Sequence, residues 1–296
     1  MNYYNEIKTE LINNEITKRV KDYSKNRSDL NTYYNVGKLL SEAGKHYGEG
    51  IIKEYSDRLS SELNIKYSVR TLYKIIKYFN YMNKQKVPTV SAKLSWSHYD
   101  ELLKLTDENI INYYIKISEE QNLSVRELRK KIKSNEYERL DEETKKKLKN
   151  KEELKVSDLV KNPIQIKNTS GNNEISEKVL QKLILEDIPS FLKELGNGFS
   201  FIDNEYKIKM GDRYNYIDLL LYNIKYKCYV VVELKVTELN SNNTGQIQKY
   251  MNYIDKNIKS IDDNKTVGII ICKKENKYVI EYCSDDRIIA REYELI

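Results

Sequence analysis

Two apolar runs separated by a short polar turn constrain this chain more than any other stretch. The first reads Tyr214-Asn215-Tyr216-Ile217-Asp218-Leu219-Leu220-Leu221-Tyr222, and the second reads Cys228-Tyr229-Val230-Val231-Val232-Glu233-Leu234-Lys235. Both are rich in β-branched, leucine and aromatic side chains. With only residues 223–227 between them, they are predicted to be adjacent antiparallel strands. Each is apolar enough to be a buried strand, yet the first carries Asp218 and the second ends in Glu233 and Lys235. An isolated charge in such a place costs several kcal/mol and needs a partner or a metal. Side chains alternate along a strand, so Glu233 and Lys235 share a face while Leu234 points away. Pairing through the short turn brings Asp218 to the same face, so that two carboxylates and one ammonium converge.

That convergence suits phosphodiester hydrolysis. Two carboxylates can hold a hard divalent cation such as Mg2+, which keeps part of its water shell and accepts a phosphate oxygen. The cation polarises the phosphoryl group and acidifies water, and a neighbouring lysine orients that water or offsets developing charge. The other reading of the same residues is a cross-strand ion pair that only stabilises a sheet.

The rest of the chain narrows the choice. Its 296 residues are enough for two domains with real cores. No run of about 18 apolar residues predicts a membrane span, and the start, Met-Asn-Tyr-Tyr-Asn-Glu-Ile-Lys, has no signal-peptide core. Cys228, Cys272 and Cys283 are widely spaced and odd in number, which disfavours a zinc pattern or a disulfide framework and points to the cytoplasm. With only His46 and His98, a histidine-built zinc site or histidine general base is disfavoured. The net charge of +6 resides in residues 1–160, while residues 161–296 balance at 20 of each sign.

Apolar periodicity predicts an α + α/β chain. Helices are expected from residue 3 to about 24 (Ile7, Leu11, Ile12, Ile16, Val20), then a second one capped by Ser28 or Asp29, then Ile51–Leu63 and Val69–Met82 behind a Ser68 cap. Val87-Pro88-Thr89 breaks the pattern, and shorter helices follow at Ser95–Leu105, Asp107–Ser118 and Ser124–Ser134. The last opens on the capping box Ser124-Val125-Arg126-Glu127. Residues 1–140 thus form an all-helical N-terminal domain. The charged, Asn-rich stretch 141–173 is the expected linker, with room for a short helix at Leu154–Val160. Residues 174–296 give a mixed sheet flanked by helices. Its elements are a helix interrupted at Pro189 and closed by Gly196 and Gly198, strands Phe199–Ile202 and Tyr206–Met210, the two central strands, and a helix Thr244–Ile258 capped by Asn243 or Thr244. Strands Thr266–Cys272, Lys277–Cys283 and Ile288–Glu294 complete it.

One stretch of the helical domain is electrically distinct. Lys66, Arg70, Lys74, Lys77, Lys84, Lys86 and Lys93 occur with no acid between residues 66 and 93. Arg70, Lys74 and Lys77 recur at helical spacing among Tyr67, Tyr73 and Tyr78, a face able to bind nucleic-acid phosphates and stack bases, or else a solvated helix face whose tyrosines enter the core. Trp96 and His98 read as core and capping residues.

Together these motifs resemble the YhcG-like family, a helical N-terminal domain joined to a PD-(D/E)xK nuclease domain. The resemblance is carried by Tyr33-Tyr34-Asn35-Val36-Gly37-Lys38, Leu94-Ser95-Trp96-Ser97-His98, Leu123 to Leu128, Phe191 to Gly196, Tyr216 to Tyr222, Val231 to Lys235, and Gly245-Gln246 with Tyr250. It implies a restriction-endonuclease-like fold and a metal-dependent DNA endonuclease, acting on branched or foreign DNA. Asp218 and Glu233 are then the ligands of Mg2+ or Mn2+, Lys235 the water-orienting cation and Gln246 a supporting polar group near the substrate. DNA, or RNA, is the implied partner, with self-association into a homo-oligomer and no membrane. In one respect the chain departs from the pattern: Gln181 stands where such nucleases offer a further acid, with Glu177 one turn earlier, and Glu205 stands where a glutamine is expected. The alternative is therefore a catalytically weakened nuclease fold that serves as a nucleic-acid-binding or partner-docking module.

Overall fold

The computed structural model describes residues 3–19, 25–48, 50–63, 65–85, 93–169, 175–283 and 285–296. The backbone of the chain divides into two compact units, Met1–Ser134 and Asn135–Ile296.

Among the described residues the first unit is all helical: α1 (Tyr3–Arg19), α2 (Lys25–Tyr47), α3 (Gly50–Leu63), α4 (Val69–Gln85), α5 (Trp96–Leu102), α6 (Glu108–Gln121) and α7 (Val125–Lys133). The apolar stripes predicted from sequence close its core, with Ile7, Leu11, Val36, Leu40, Leu59, Leu72 and Ile75 fully enclosed. The expected caps at Ser68 and Ser124 form: Ser68 Oγ accepts from the Thr71 amide at 3.2 Å, and Ser124 and Glu127 make a reciprocal capping box. The start of α2 differs from expectation. It begins at Lys25, so Asp29 lies inside the helix, where its carboxylate accepts from the Asn14 side chain of α1 at 2.8 Å. A helix-to-helix hydrogen bond has taken the side chain that local sequence offered as a cap. Val20 and Val87-Pro88-Thr89 lie outside the described residues.

The second unit holds α8 (Glu142–Asn150), α9 (Val156–Leu159), β1 (Ile164–Ile166), α10 (Glu177–Glu186), α11 (Ile188–Leu195), β2 (Phe199–Met210), β3 (Arg213–Asn223), β4 (Cys228–Glu238), α12 (Ser241–Asn257), β5 (Asn264–Lys274), α13 (Lys277–Glu281) and β6 (Ile288–Leu295). The six strands form one mixed sheet in the order β1-β6-β5-β4-β3-β2. β2, β3 and β4 are antiparallel neighbours, and β4, β5, β6 and β1 run parallel. One face packs on α10 and α11 through Leu180, Ile184, Leu195, Leu219, Val230, Val232 and Ile271. The other packs on α12 through Leu220, Val231, Ile247, Met251, Ile254 and Ile270. The two central strands thus carry an apolar layer on both sides, as their continuous apolar runs require.

The structure departs from the sequence expectations at four places. Residues 141–173 do not form a linker throughout, because β1 joins the sheet edge beside β6. The segment is also tied to β6 by side chains: Arg291 donates to the Val160 carbonyl at 2.9 Å and to Asp141 at 2.7 Å, and the Glu292 amide donates to Asn162 Oδ1 at 2.9 Å. Residues 170–174 are outside the described set. Lys277–Cys283 does not form a strand. β5 and β6 are parallel, so the chain between them must cross back, and it does so through α13, capped by the Asn276 side chain. The two short strands expected between Phe199 and Met210 are one strand with a register shift between Phe201 and Asp203. Finally, α12 starts at Ser241 because Asn240 caps it, accepting from the Asn242 and Asn243 amides. Pro189 does split the preceding helix: Asp187 caps α11 and the proline occupies its first turn, where a missing N–H costs least.

Candidate active site

The turn between β3 and β4 is set by Asn223, which is fully buried. Its side chain accepts from the Tyr226 amide at 3.1 Å and donates to the Asn197 carbonyl at 3.2 Å. This pins the register Asn223↔Cys228 through Leu219↔Val232. One step further the regular ladder ends, and the Asp218 side chain replaces it: Oδ2 accepts from the Leu234 amide at 2.7 Å. Asp218 is thereby anchored to the strand that carries Glu233 and Lys235.

Glu233 is 1% exposed, and its Oε1 has no hydrogen-bond partner. Its other oxygen lies 3.5 Å from Lys235 Nζ. Burial, with the charge of Asp218 adding to it, pushes the Glu233 carboxyl up to about 8, against a smaller opposing pull from Lys235. Burial also raises Asp218; the Leu234 amide and Lys235 counteract this, while Glu177 and Glu205 add to it. The three residues singled out in the sequence therefore meet.

Two helices complete the site. From α10, Glu177 reaches Lys235 Nζ at 3.6 Å. Gln181, one turn on and 8% exposed, donates its amide to the Asp218 backbone carbonyl at 3.0 Å. From α12, Gln246 donates to the Tyr250 hydroxyl at 3.1 Å. That hydroxyl is raised by burial first, with Glu233 and Asp218 contributing, so Gln246 and Tyr250 border the carboxylates. The supporting part of Tyr250 follows from the i, i+4 spacing to Gln246, but the hold of Gln181 on the Asp218 backbone had no signal in the sequence.

The residues fit a hard cation. A buried carboxylate oxygen without a donor, beside a second carboxylate, is a position that a positive ion would satisfy. Among the described residues no group of three His, Cys, Asp or Glu side chains forms a preformed cage. Two protein carboxylates with water and phosphate filling the remaining positions is the arrangement that Mg2+ tolerates.

The basic stretch of α4 is differently engaged. Lys74 forms an ion pair with Asp100, and Lys77 donates to the Leu103 carbonyl, while Arg70 is exposed. Tyr67 and Tyr78 are core residues, and Tyr73 is exposed. Trp96 packs against Tyr33 and Tyr78, and His98 closes the start of α5 through Ser95.

A mixed sheet with helices on both faces, bearing an Asp and a Glu-x-Lys on adjacent strands where their ladder ends, defines a domain of the PD-(D/E)xK nuclease class. Residues 157–296 match the family model described as YhcG PDDEXK nuclease domain, and residues 9–139 match the DUF1016 N-terminal domain. With both halves matched, the chain belongs to the YhcG-like family of DUF1016 and PD-(D/E)xK nuclease domains. It is 25% identical over 219 residues to "Putative nuclease YhcG" of Escherichia coli (strain K12), a match covering 70% of this chain and 58% of that protein. The match thus spans little more than half of the relative's length. Among solved structures, the chain is similar to a repair endonuclease from Pyrococcus abyssi at 18% identity, covering 43% of this chain and 49% of the other, with a TM-score of 0.30. It is also similar to the protein in the structure of an EndoMS–dsDNA complex at 18% identity, covering 44% and 48%, with a TM-score of 0.30. No helix among the described residues is long and apolar enough to cross a membrane.

Proposed function

We propose that the chain is a metal-dependent endonuclease that hydrolyses phosphodiester bonds of DNA. The observation that carries this reading is the orphaned Glu233 Oε1, buried next to Asp218 and within reach of Lys235. Asp218 and Glu233 would hold the ion, Mg2+ or Mn2+, which when bound would supply Lewis-acid charge to the phosphoryl group and lower the pKa of water. Lys235 orients the attacking water and offsets charge growing on the phosphate oxygens. Glu177 steadies that ammonium, and Gln181 fixes the backbone from which Asp218 projects. Gln246, held by Tyr250, contacts substrate beside the scissile group. The surrounding burial keeps these interactions strong.

The reading includes a reducing, cytoplasmic setting, which accords with three free cysteines, two of them buried. It also includes a homo-oligomer, since a symmetric pair places two single-strand cutters on the two strands of a duplex. The helical unit, with Arg70 exposed, contributes to DNA affinity.

Purified protein incubated with Mg2+ or Mn2+ and a panel of duplex, single-stranded, branched and RNA substrates tests the assignment. Cleavage is expected with DNA and is expected to vanish in Asp218→Ala and Lys235→Ala while the thermal transition persists. Undiminished cutting by either variant overturns it.

A second reading is favoured by Gln181, which adds no charge where a further acid is expected: a nuclease fold that binds nucleic acid without cutting. Calorimetric titration separates the two, because a decayed site shows no stoichiometric Mn2+ uptake dependent on Glu233.

A further inference from the structure

The β2–β3 hairpin has one buried and one open face in its outer half. Register pairs Lys207 with Tyr216 and Lys209 with Tyr214, so these four side chains share one face. On the other face Tyr206, Ile208 and Ile217 pack into the core under α12. The open face is unusual for a sheet in that both its aromatics are solvent-exposed: Tyr214 by 55% and Tyr216 by 52%. Lys207 Nζ lies 3.9 Å and Lys209 Nζ 5.9 Å from the centre of the Tyr214 ring, and neither lysine has a carboxylate partner among the described residues. Of the hairpin's acids, Asp203 pairs in register with Leu220, Asp212 lies in the tip turn, and Glu205 acts on Asp218. Tyr216 is two residues from Asp218 on the same strand.

We propose that this Lys207–Lys209–Tyr214–Tyr216 face binds single-stranded DNA and leads it to the Asp218 site, so that the preferred substrate carries an unpaired strand beside the cut. The proposal rests on the nuclease reading above. Charge and ring faces alternate as a strand of nucleic acid requires: ammonium groups meet phosphates and tyrosine rings receive bases. Spacing decides for an unpaired strand. Two residues along a β-strand advance about 6.8 Å, twice the ~3.4 Å step of stacked bases in a duplex. Rings set that far apart match bases splayed from one another, the form in which single strands are read by aromatic side chains. Duplex bases are already stacked and offer these rings no free face.

Fluorescence anisotropy of the full chain with a labelled single-stranded DNA, in EDTA so that nothing is cut, tests the surface directly. The double variant Tyr214→Ala/Tyr216→Ala is expected to weaken binding at least roughly tenfold, and Tyr214→Phe/Tyr216→Phe to retain it. Lys207→Gln/Lys209→Gln is expected to flatten the slope of log affinity against log salt by about 1.4. A urea midpoint equal to that of the parent shows that the double alanine variant remains folded, as the exposure of both rings predicts. Affinity of that variant within about twofold of the parent overturns the proposal, as does tighter binding of duplex than of single strand by the parent chain. Equal, equally tyrosine-dependent binding of RNA overturns the assignment to DNA. Because the assay needs no catalysis, a chain that binds in this way but never cuts keeps the surface and loses the nuclease reading, and a chain that cuts with binding unaffected by the substitutions does the reverse.

Discussion

Gln181 donates its side-chain amide to the backbone carbonyl of Asp218 at 3.0 Å. The residue that departs from the expected acid is thus part of the scaffold, holding in place the stretch of β3 from which Asp218 projects. One turn earlier, Glu177 is the acid that α10 brings to the site, 3.6 Å from Lys235.

Removing the Gln181 side chain takes a donor from the part-buried Asp218 carbonyl. Gln181→Ala is expected to lower stability by about 1–3 kcal/mol and to reduce cleavage by loosening Asp218. Gln181→Glu faces a carboxylate toward that carbonyl, so it is expected to be similarly destabilised without metal and to recover when Mn2+ is added. Urea denaturation with and without Mn2+ measures both.

Glu177 is half exposed and acts on the site through Lys235. Glu177→Gln is expected to leave the thermal transition in place while lowering the cleavage rate roughly tenfold, the size typical of groups that orient others at a metal site. Single-turnover rates at saturating Mg2+ make the comparison.

The Glu233 carboxyl, pushed up to about 8 by burial, sets a pH dependence. Its folded value lies above the ordinary one of 4.5, so the folded state holds a proton that the unfolded chain releases. Metal-free stability is then greatest below the unfolded value and falls as pH rises through the folded value, by a total on the order of a few kcal/mol. Urea midpoints in EDTA at acid and at mildly alkaline pH are expected to fall for the parent chain and to stay level for Glu233→Gln.

Glu194 on α11 binds the region before β1 to the sheet. Its carboxylate accepts from Arg139 and from the Gln165 amide at 3.1 Å, and lies 3.7 Å from Lys161, which is almost fully buried. Glu194→Ala removes one carboxylate from each cation while Lys161 keeps Glu136 at 3.8 Å and Arg139 keeps the Pro163 carbonyl at 2.7 Å, and the expected loss is about 1–3 kcal/mol. Chemical denaturation followed by circular dichroism reads it.

Gly37 tests the helical unit. Alanine is better than glycine in a helix interior by about 1 kcal/mol. Here, however, a Cβ would stand 2.6 Å from both the Ile75 carbonyl oxygen and Phe79 Cβ on α4. Overpacking of this kind costs typically about 1–3 kcal/mol, so Gly37→Ala is expected to destabilise, with a lower thermal midpoint. A raised midpoint would show that α2 and α4 can separate without loss.

The helical unit was legible because its information is local. Stripes at helical spacing and caps such as Ser68 and Ser124 depend on residues within a turn of one another. The core of the site was legible for the same reason. Asp218 and the Glu233–Lys235 pair are brought together by a hairpin whose turn is only residues 224–227.

What failed to show in the sequence depended on distant neighbours. Tyr278-Val279-Ile280 reads equally well as strand or helix, and only the parallel pairing of β5 with β6 required a crossover there. Ile164–Ile166 lies in a polar stretch and alternates over only three residues, too few to mark a strand, and its pairing with the edge of β6 made it one. Lys74 and Lys77 formed a basic run on paper until Asp100 and the Leu103 carbonyl, far along the chain, were folded against them.

The sequence by itself determined the helices α1 to α7, the two central strands and the three ionisable residues that share that strand pair, since alternation and turn length act over a few residues. Tertiary structure alone decided that Glu233 is sealed from water with an oxygen left over, that Gln181 supports Asp218 from behind, and that Tyr214 and Tyr216 stay in solvent. Burial and hydrogen-bond partnership are set by whichever distant segment packs alongside, and that is a property of the assembled layers.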